Sequence, residues 1–148
     1  MESKFISSVQ SISFFLANTY ALLLKTQMYH WNVQGDFASL HQLFQDQYED
    51  LFEAVDELAE RIRMLGQPVV ASFQVFSNLS VIQEASHTQH DQEMLTNLSK
   101  DHETLIEELK KSLMDEGMSE DFGTQDLLTQ RLRAHEKASW MLRSGLKG

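Results

Sequence analysis

Cysteine is absent from this 148-residue chain, which removes disulfides and thiolate metal sites and fits a reducing compartment. Proline occurs once and glycine six times, so few positions force a helix to stop. No uninterrupted apolar run nears the roughly 18 to 20 residues that span a bilayer. The opening MESKFISSVQ lacks the basic stretch followed by a continuous apolar one that marks a secretory leader. These features predict a cytoplasmic protein with no membrane partner. Positive charge is scarce too: 12 Lys and Arg against 22 Asp and Glu give a formal net charge of −10. Such a surface attracts cations and repels nucleic acid at long range, though it also serves plain solubility. No HExxH, P-loop or glycine-rich dinucleotide fingerprint occurs, and nothing points to a Ser-His-Asp triad.

What is present is helical periodicity. A chain of this length suits one domain with a real core, here residues 1–148. The spacing predicts a first helix over residues 5 to about 31 on Phe5, Val9, Ile12, Leu16, Tyr20, Leu23 and Gln27. Phe15, Leu22, Leu24 and Met28 widen that stripe, so more than one face is buried. Gly35 ends the element, and Asp36 is a candidate N-cap for the next. The second helix carries Leu40, Phe44, Tyr48, Leu51, Val55, Leu58, Ile62 and Leu65 on one face, and stops at Gly66 with Pro68 beyond. Residues 67–88 are less periodic. Ser80-Val-Ile-Gln83 has the capping-box pattern, which predicts a short helix of two or three turns there. A third long helix is predicted from about 89 to 115 on Met94, Leu98, Leu105, Leu109 and Leu113, closed by Gly117. After the acidic loop GMSEDFG, Thr124 is read as the cap of a fourth helix carried by Leu128, Leu132, His135 and Leu142. The result is an all-α, four-helix bundle with a short extra helix between helices 2 and 3.

Beside the apolar face of the second helix lies another stripe: His41, Gln45, Phe52, Asp56 and Glu60, with His30 just before the turn. An imidazole and two carboxylates, with a further imidazole nearby, are the groups that hold iron or manganese. Alone, an Asp-Glu pair at i,i+4 is common on a solvated helix, and Arg63 could neutralise it. His41 and Asp56 are 15 positions apart, about 22 Å along a helix, so they do not meet around one ion within a straight helix. A second copy packed antiparallel about a two-fold axis would bring His41 of one chain to Asp56 and Glu60 of the other, twice per pair. Glu84-x-x-His87 is the only E-x-x-H in the chain, whereas the larger di-iron bundles need two plus further glutamates. This favours the shared site over one within a chain. His87 and His90, three apart, could chelate a metal adventitiously.

The run HWNVQG (His30–Gly35), the Leu40-His41 pair and D-x-x-A-E-R from Asp56 to Arg61 resemble the signature of the Dps-like mini-ferritins, proteins that protect DNA in starved cells. EKASWML (Glu136–Leu142) resembles that family's last helix more weakly, so the likeness covers nearly the whole chain. The resemblance implies a ferritin-like four-helix subunit, a hollow dodecamer in the bacterial cytoplasm or nucleoid, and ferroxidase sites at two-fold interfaces. Carried over by position, the iron ligands and catalytic residues are His30, His41, Asp56 and Glu60. The same likeness implies oxidation of Fe(II), mostly with hydrogen peroxide and otherwise with oxygen, and storage of the Fe(III) product inside the shell. It places Trp31 near the iron, with no role assigned. It also implies acidic pores at three-fold axes, for which Glu120, Asp121 and Asp126 are the candidates beside the plain alternative of a solvated loop and helix start.

Two departures from the pattern stand out. The turn between His30 and His41 is one residue short, and Gln45 stands where the family has an Asp or Glu. A carboxamide is a weaker ligand than a carboxylate. Of two iron positions per site, one is therefore expected to bind well and the other weakly. A competing reading is a DNA-compacting stress protein with a vestigial metal site. The chain has no basic arm to support it: one lysine precedes Phe5, and the end reads RSGLKG. A purely structural bundle is a third reading, which particle mass separates from a shell.

Overall fold

Residues 5–147 are described by the structure, a computed structural model, and no strand occurs among them. The helices are α1 (Ile6–Asn32), α2 (Phe37–Met64), α3 (Phe73–Leu79), α4 (Asp91–Leu113) and α5 (Phe122–Ser144), with a 3-10 turn at Glu116–Met118. Side-chain partners fix the directions. Lys25 meets Asp101 and Ser11 meets Ser112, so α1 and α4 are antiparallel. His102 meets His135 and Ser99 meets Ser139, so α4 and α5 are antiparallel. Gln47 reaches Ala138 and Arg61 reaches Thr124, which sets α2 against α5 in the same way. By these pairings α2 runs antiparallel to α5, which opposes α4, so α2 and α4 share a direction. The connection between them therefore travels the length of the bundle, as in ferritin-like topology.

The core forms two clusters along the axis. One joins Leu22, Tyr29, Phe44, Leu51, Leu98 and Leu105; the other joins Ile12, Leu16, Leu58, Ile62, Leu109 and Leu128. The buried face of α2 follows the predicted stripe. That of α1 is rotated from it: Ile12, Leu16, Thr19, Leu23, Thr26 and His30 point inward with Phe15, Leu22 and Tyr29, while Tyr20 and Leu24 are exposed. Tyr20 instead packs on Phe76 of α3 at 5.3 Å. By length and mean composition α1 is apolar enough to cross a membrane, but polar residues interrupt it throughout, as a core helix of a bundle allows. Half of that stretch is buried against the other helices.

The short helix is not where the capping-box pattern placed it. It is α3, started by Ser72, whose Oγ accepts from the Val75 N–H. At Ser80 the backbone N–H that a capping box would give to Gln83 goes instead to the Phe76 carbonyl, so Ser80 closes α3 rather than starting a helix. Two other caps also differ. Asp36 makes no side-chain cap bond, and α5 is capped by Asp121, which accepts from the Thr124 N–H, rather than by Thr124. α4 starts at Asp91 and ends at Leu113, so Gly117 falls in the 3-10 turn beyond it. The predicted stop at Gly66 is observed. Its φ of +90° suits a residue without Cβ just past α2, where Gln67 N–H returns to the Ile62 carbonyl. The opening residues 1–4, read for a basic arm, lie outside the described residues, as does Gly148.

Candidate metal centre

The turn between α1 and α2 is built around Asp91, at the start of α4. Its two carboxylate oxygens accept the Gln34 and Asp36 N–H groups at 3.1 and 2.9 Å. A Cβ at Gly35 would lie 2.7 Å from Asp91 Oδ2, which explains glycine at that position. This clamp holds the end of α1 against the start of α2 and so brings His30 to His41.

The two imidazoles stack with centroids 3.7 Å apart and planes 17° from parallel. His30 Nδ1 lies 2.7 Å from the His41 carbonyl oxygen, and His41 Nδ1 lies 2.8 Å from the His30 carbonyl oxygen. A carbonyl only accepts, so both Nδ1 atoms carry the proton. In the neutral rings each Nε2 then keeps its lone pair, the form a metal takes. Phe37 stacks on His41 at 4.4 Å, and Tyr48 sets its ring edge-on to His30 at 5.2 Å. This donor set fits a first-row cation. Trp31, next in sequence to His30, is 62% exposed.

Asp56 and Glu60 lie further along α2, exposed. Phe52, on the same stripe, is 68% exposed. Among the described residues no three His, Asp or Glu side chains stand together as a metal would need. The chain thus brings the two predicted imidazoles together and leaves the two predicted carboxylates apart from them. Gln45 is half-buried between them, and its Nε2 donates to Glu49 at 3.0 Å. That leaves the carboxamide oxygen as the atom available to a cation.

The pore candidates separate. Asp121 is buried and committed: it caps α5, accepts from Thr124 Oγ1 at 2.6 Å and pairs with Arg61 Nη2 at 2.7 Å. Burial would raise its pKa, but hydrogen bonds from Thr124 and Arg61 outweigh that and hold it below the usual carboxylate value. Glu120 is exposed, whereas Asp126 lines a cleft of about 240 Å³ with Glu57 and Glu60. Arg61, the last residue of the D-x-x-A-E-R run, therefore ties α2 to α5.

Among the buried polar groups that the sequence did not reveal is the pairing of two histidines. His102 and His135 face each other with Nδ1 atoms 2.8 Å apart, and both are almost fully buried. Burial and then the nearby Arg131 guanidinium push the His102 pKa down to about 3, against the opposing effect of Asp50. Burial, His102 and Arg131 push His135 well below the ordinary value. The pair is neutral, and the Arg131 guanidinium, anchored on Asp50 at 3.1 Å, opposes a metal cation there. His102 could have been found from sequence, because it falls on the stripe of Leu98, Leu105 and Leu109.

Comparison with known proteins places this arrangement. The ferritin-like domain matches residues 15–147. An uncharacterized low temperature-induced protein of Nostoc is 43% identical over 136 residues, covering 90% of this chain and 76% of that protein. The DNA protection during starvation protein 2 of Bacillus anthracis is 36% identical, with 88% and 90% covered. The crystal structure of a DPS protein from Vibrio cholerae, described as a member of a broad superfamily of ferritin-like diiron-carboxylate proteins, superposes with a TM-score of 0.89 at 31% identity, covering 97% of this chain and 91% of that one.

Proposed function

Because the chain belongs to the Dps-like mini-ferritins, we propose that it is an iron-storing ferroxidase whose sites are each completed by two subunits of a twelve-chain shell. The observation that carries this reading is the reciprocal His30–His41 hydrogen bonding, which presets two Nε2 ligands and leaves Asp56 and Glu60 unmatched on the same chain. Antiparallel packing of two α2 faces sets the partner's Asp56 and the partner's Glu60 beside these imidazoles, and the two-fold axis repeats the site. Iron is the substrate. His30 and His41 bind it through Nε2, and carboxylates offset the charge that rises as Fe(II) becomes Fe(III). Hydrogen peroxide is the oxidant: two Fe(II) give one electron each, the O–O bond breaks, and two protons complete two waters. Glu57, Glu60 and Asp126 around one cleft offer a carboxylate surface where ferric product collects.

A DNA-binding reading draws on names alone, those of the Bacillus anthracis and Brevibacillus brevis DNA protection during starvation proteins. The net charge of −10 opposes direct contact with phosphate. Iron chemistry is therefore the reading preferred here for any protective role. The test follows Fe(II) oxidation by peroxide optically and measures particle mass on the same sample. Twelve chains of 17.1 kDa predict about 200 kDa. A stable monomer at micromolar concentration, or no peroxide-dependent oxidation, would remove the basis of the proposal.

A further inference from the structure

We infer that Phe37 is a positioning residue for iron binding, holding the His41 imidazole in its ligating orientation. The inference rests on the proposed role of His30 and His41. Phe37 is the first residue of α2 and lies four positions before His41, hence on the same helical face. Its ring is 21° from parallel to the His41 ring at 4.4 Å, and the His30 ring is 17° from parallel at 3.7 Å. Two rings so close and so nearly parallel would overlap on one face of an imidazole, so they sandwich it.

His41 needs this support more than His30 does. His30 is only 6% exposed and has the edge of Tyr48 against it. His41 is partly exposed, and its polar anchor is the bond from Nδ1 to the His30 carbonyl. One hydrogen bond leaves an imidazole free to swing about its side-chain torsions. A flat ring on the outer face removes that freedom and keeps Nδ1 on the carbonyl, which keeps the lone pair on Nε2. Phe37 is itself 49% exposed. A phenylalanine so exposed is poorly explained by core packing.

The experiment uses the full chain and two readouts: anaerobic calorimetric titration with Fe(II), and solid-state 15N spectra of the metal-free histidine rings. Phe37→Ala should weaken Fe(II) binding about tenfold, the scale seen when a residue supporting a metal ligand is removed. It should also convert His41 from the single Nδ1–H form to mixed tautomers. Phe37→Leu keeps apolar bulk without a flat ring and should behave like Phe37→Ala. Phe37→Tyr keeps the ring and should bind like the parent. Parent-like binding and an unchanged His41 tautomer in Phe37→Ala would overturn the inference, as would equal weakening in Phe37→Tyr and Phe37→Ala. His41→Ala serves as the reference: parent-like binding there would overturn the metal reading itself, a distinct failure from that of Phe37.

Discussion

Acid should destabilise this protein through the buried His102–His135 pair. In the unfolded chain both rings titrate near the ordinary value of 6.5; in the bundle His102 is pushed down to about 3, and His135 is also held well below its ordinary value. The unfolded state therefore binds more protons as pH falls below 6.5. The stability these neutral rings contribute is complete above that value. For His102 it is lost progressively down to about pH 3, where the folded form protonates as well. Between pH 7 and pH 5 an ordinary histidine takes up nearly one proton, so holding one neutral costs about 2 kcal/mol over that interval, and two cost about 4 kcal/mol. Burial decides the sign, because both side chains are 98% or more buried and the Arg131 guanidinium acts in the same direction. The assay is urea unfolding of the parent and His102→Gln at pH 7 and pH 5, at one protein concentration so that assembly contributes equally. The variant is less stable throughout, but its loss between the two pH values should be smaller by about 2 kcal/mol. Equal losses in both proteins would refute the reasoning, because His102 would then titrate alike when folded and unfolded.

Replacing Gln45, whose amide now donates to Glu49, by Glu should tighten the second Fe(II) and bring the stoichiometry nearer two per site in an anaerobic titration. An unchanged isotherm would show that position 45 does not set occupancy. Arg61→Ala should cost about 1 to 3 kcal/mol by stripping the buried Asp121 of its cation, read by thermal unfolding at pH 7. The contribution of the depressed Asp121 carboxyl is present above its ordinary value and vanishes as pH falls through the folded one, so Arg61→Ala and parent should converge in strong acid. With a net charge of −10, duplex DNA should show no gel shift at about 150 mM salt without divalent cations; a clear shift would contradict that.

The helical frame was legible because α2 and α4 each bury one stripe, and glycine with proline marked the end of α2. α1 was harder. It buries Ser8, Asn18, Thr19, Lys25 and Thr26 among its apolar residues, so hydrophobic spacing found Ile12, Phe15, Leu16, Leu22 and Leu23 but also took in Tyr20 and Leu24, which are exposed. The short helix was misplaced because the Ser80-x-x-Gln83 pattern does not reveal that the Ser80 N–H already closes α3 on the Phe76 carbonyl. In the candidate site, the residue types and the separation of His41 from Asp56 were readable from spacing. The tautomer lock was not, because it depends on backbone carbonyls across a turn. Likewise Asp121 read as a pore acid because nothing in its neighbourhood announces Arg61, 60 positions away.

Shared ligation is the central claim, and mixed assembly tests it most directly. Chains carrying His41→Ala and chains carrying Asp56→Ala are each expected to be inactive as pure shells, since every site then lacks one ligand. When the two are unfolded together and reassembled, each mixed pair contains one site with both changes and one with neither. Peroxide-dependent Fe(II) oxidation by the mixed shells should therefore recover to about a quarter of the parent rate per chain for random pairing of a two-fold interface. Activity no higher than that of either pure variant would place all the ligands within one chain and contradict the account.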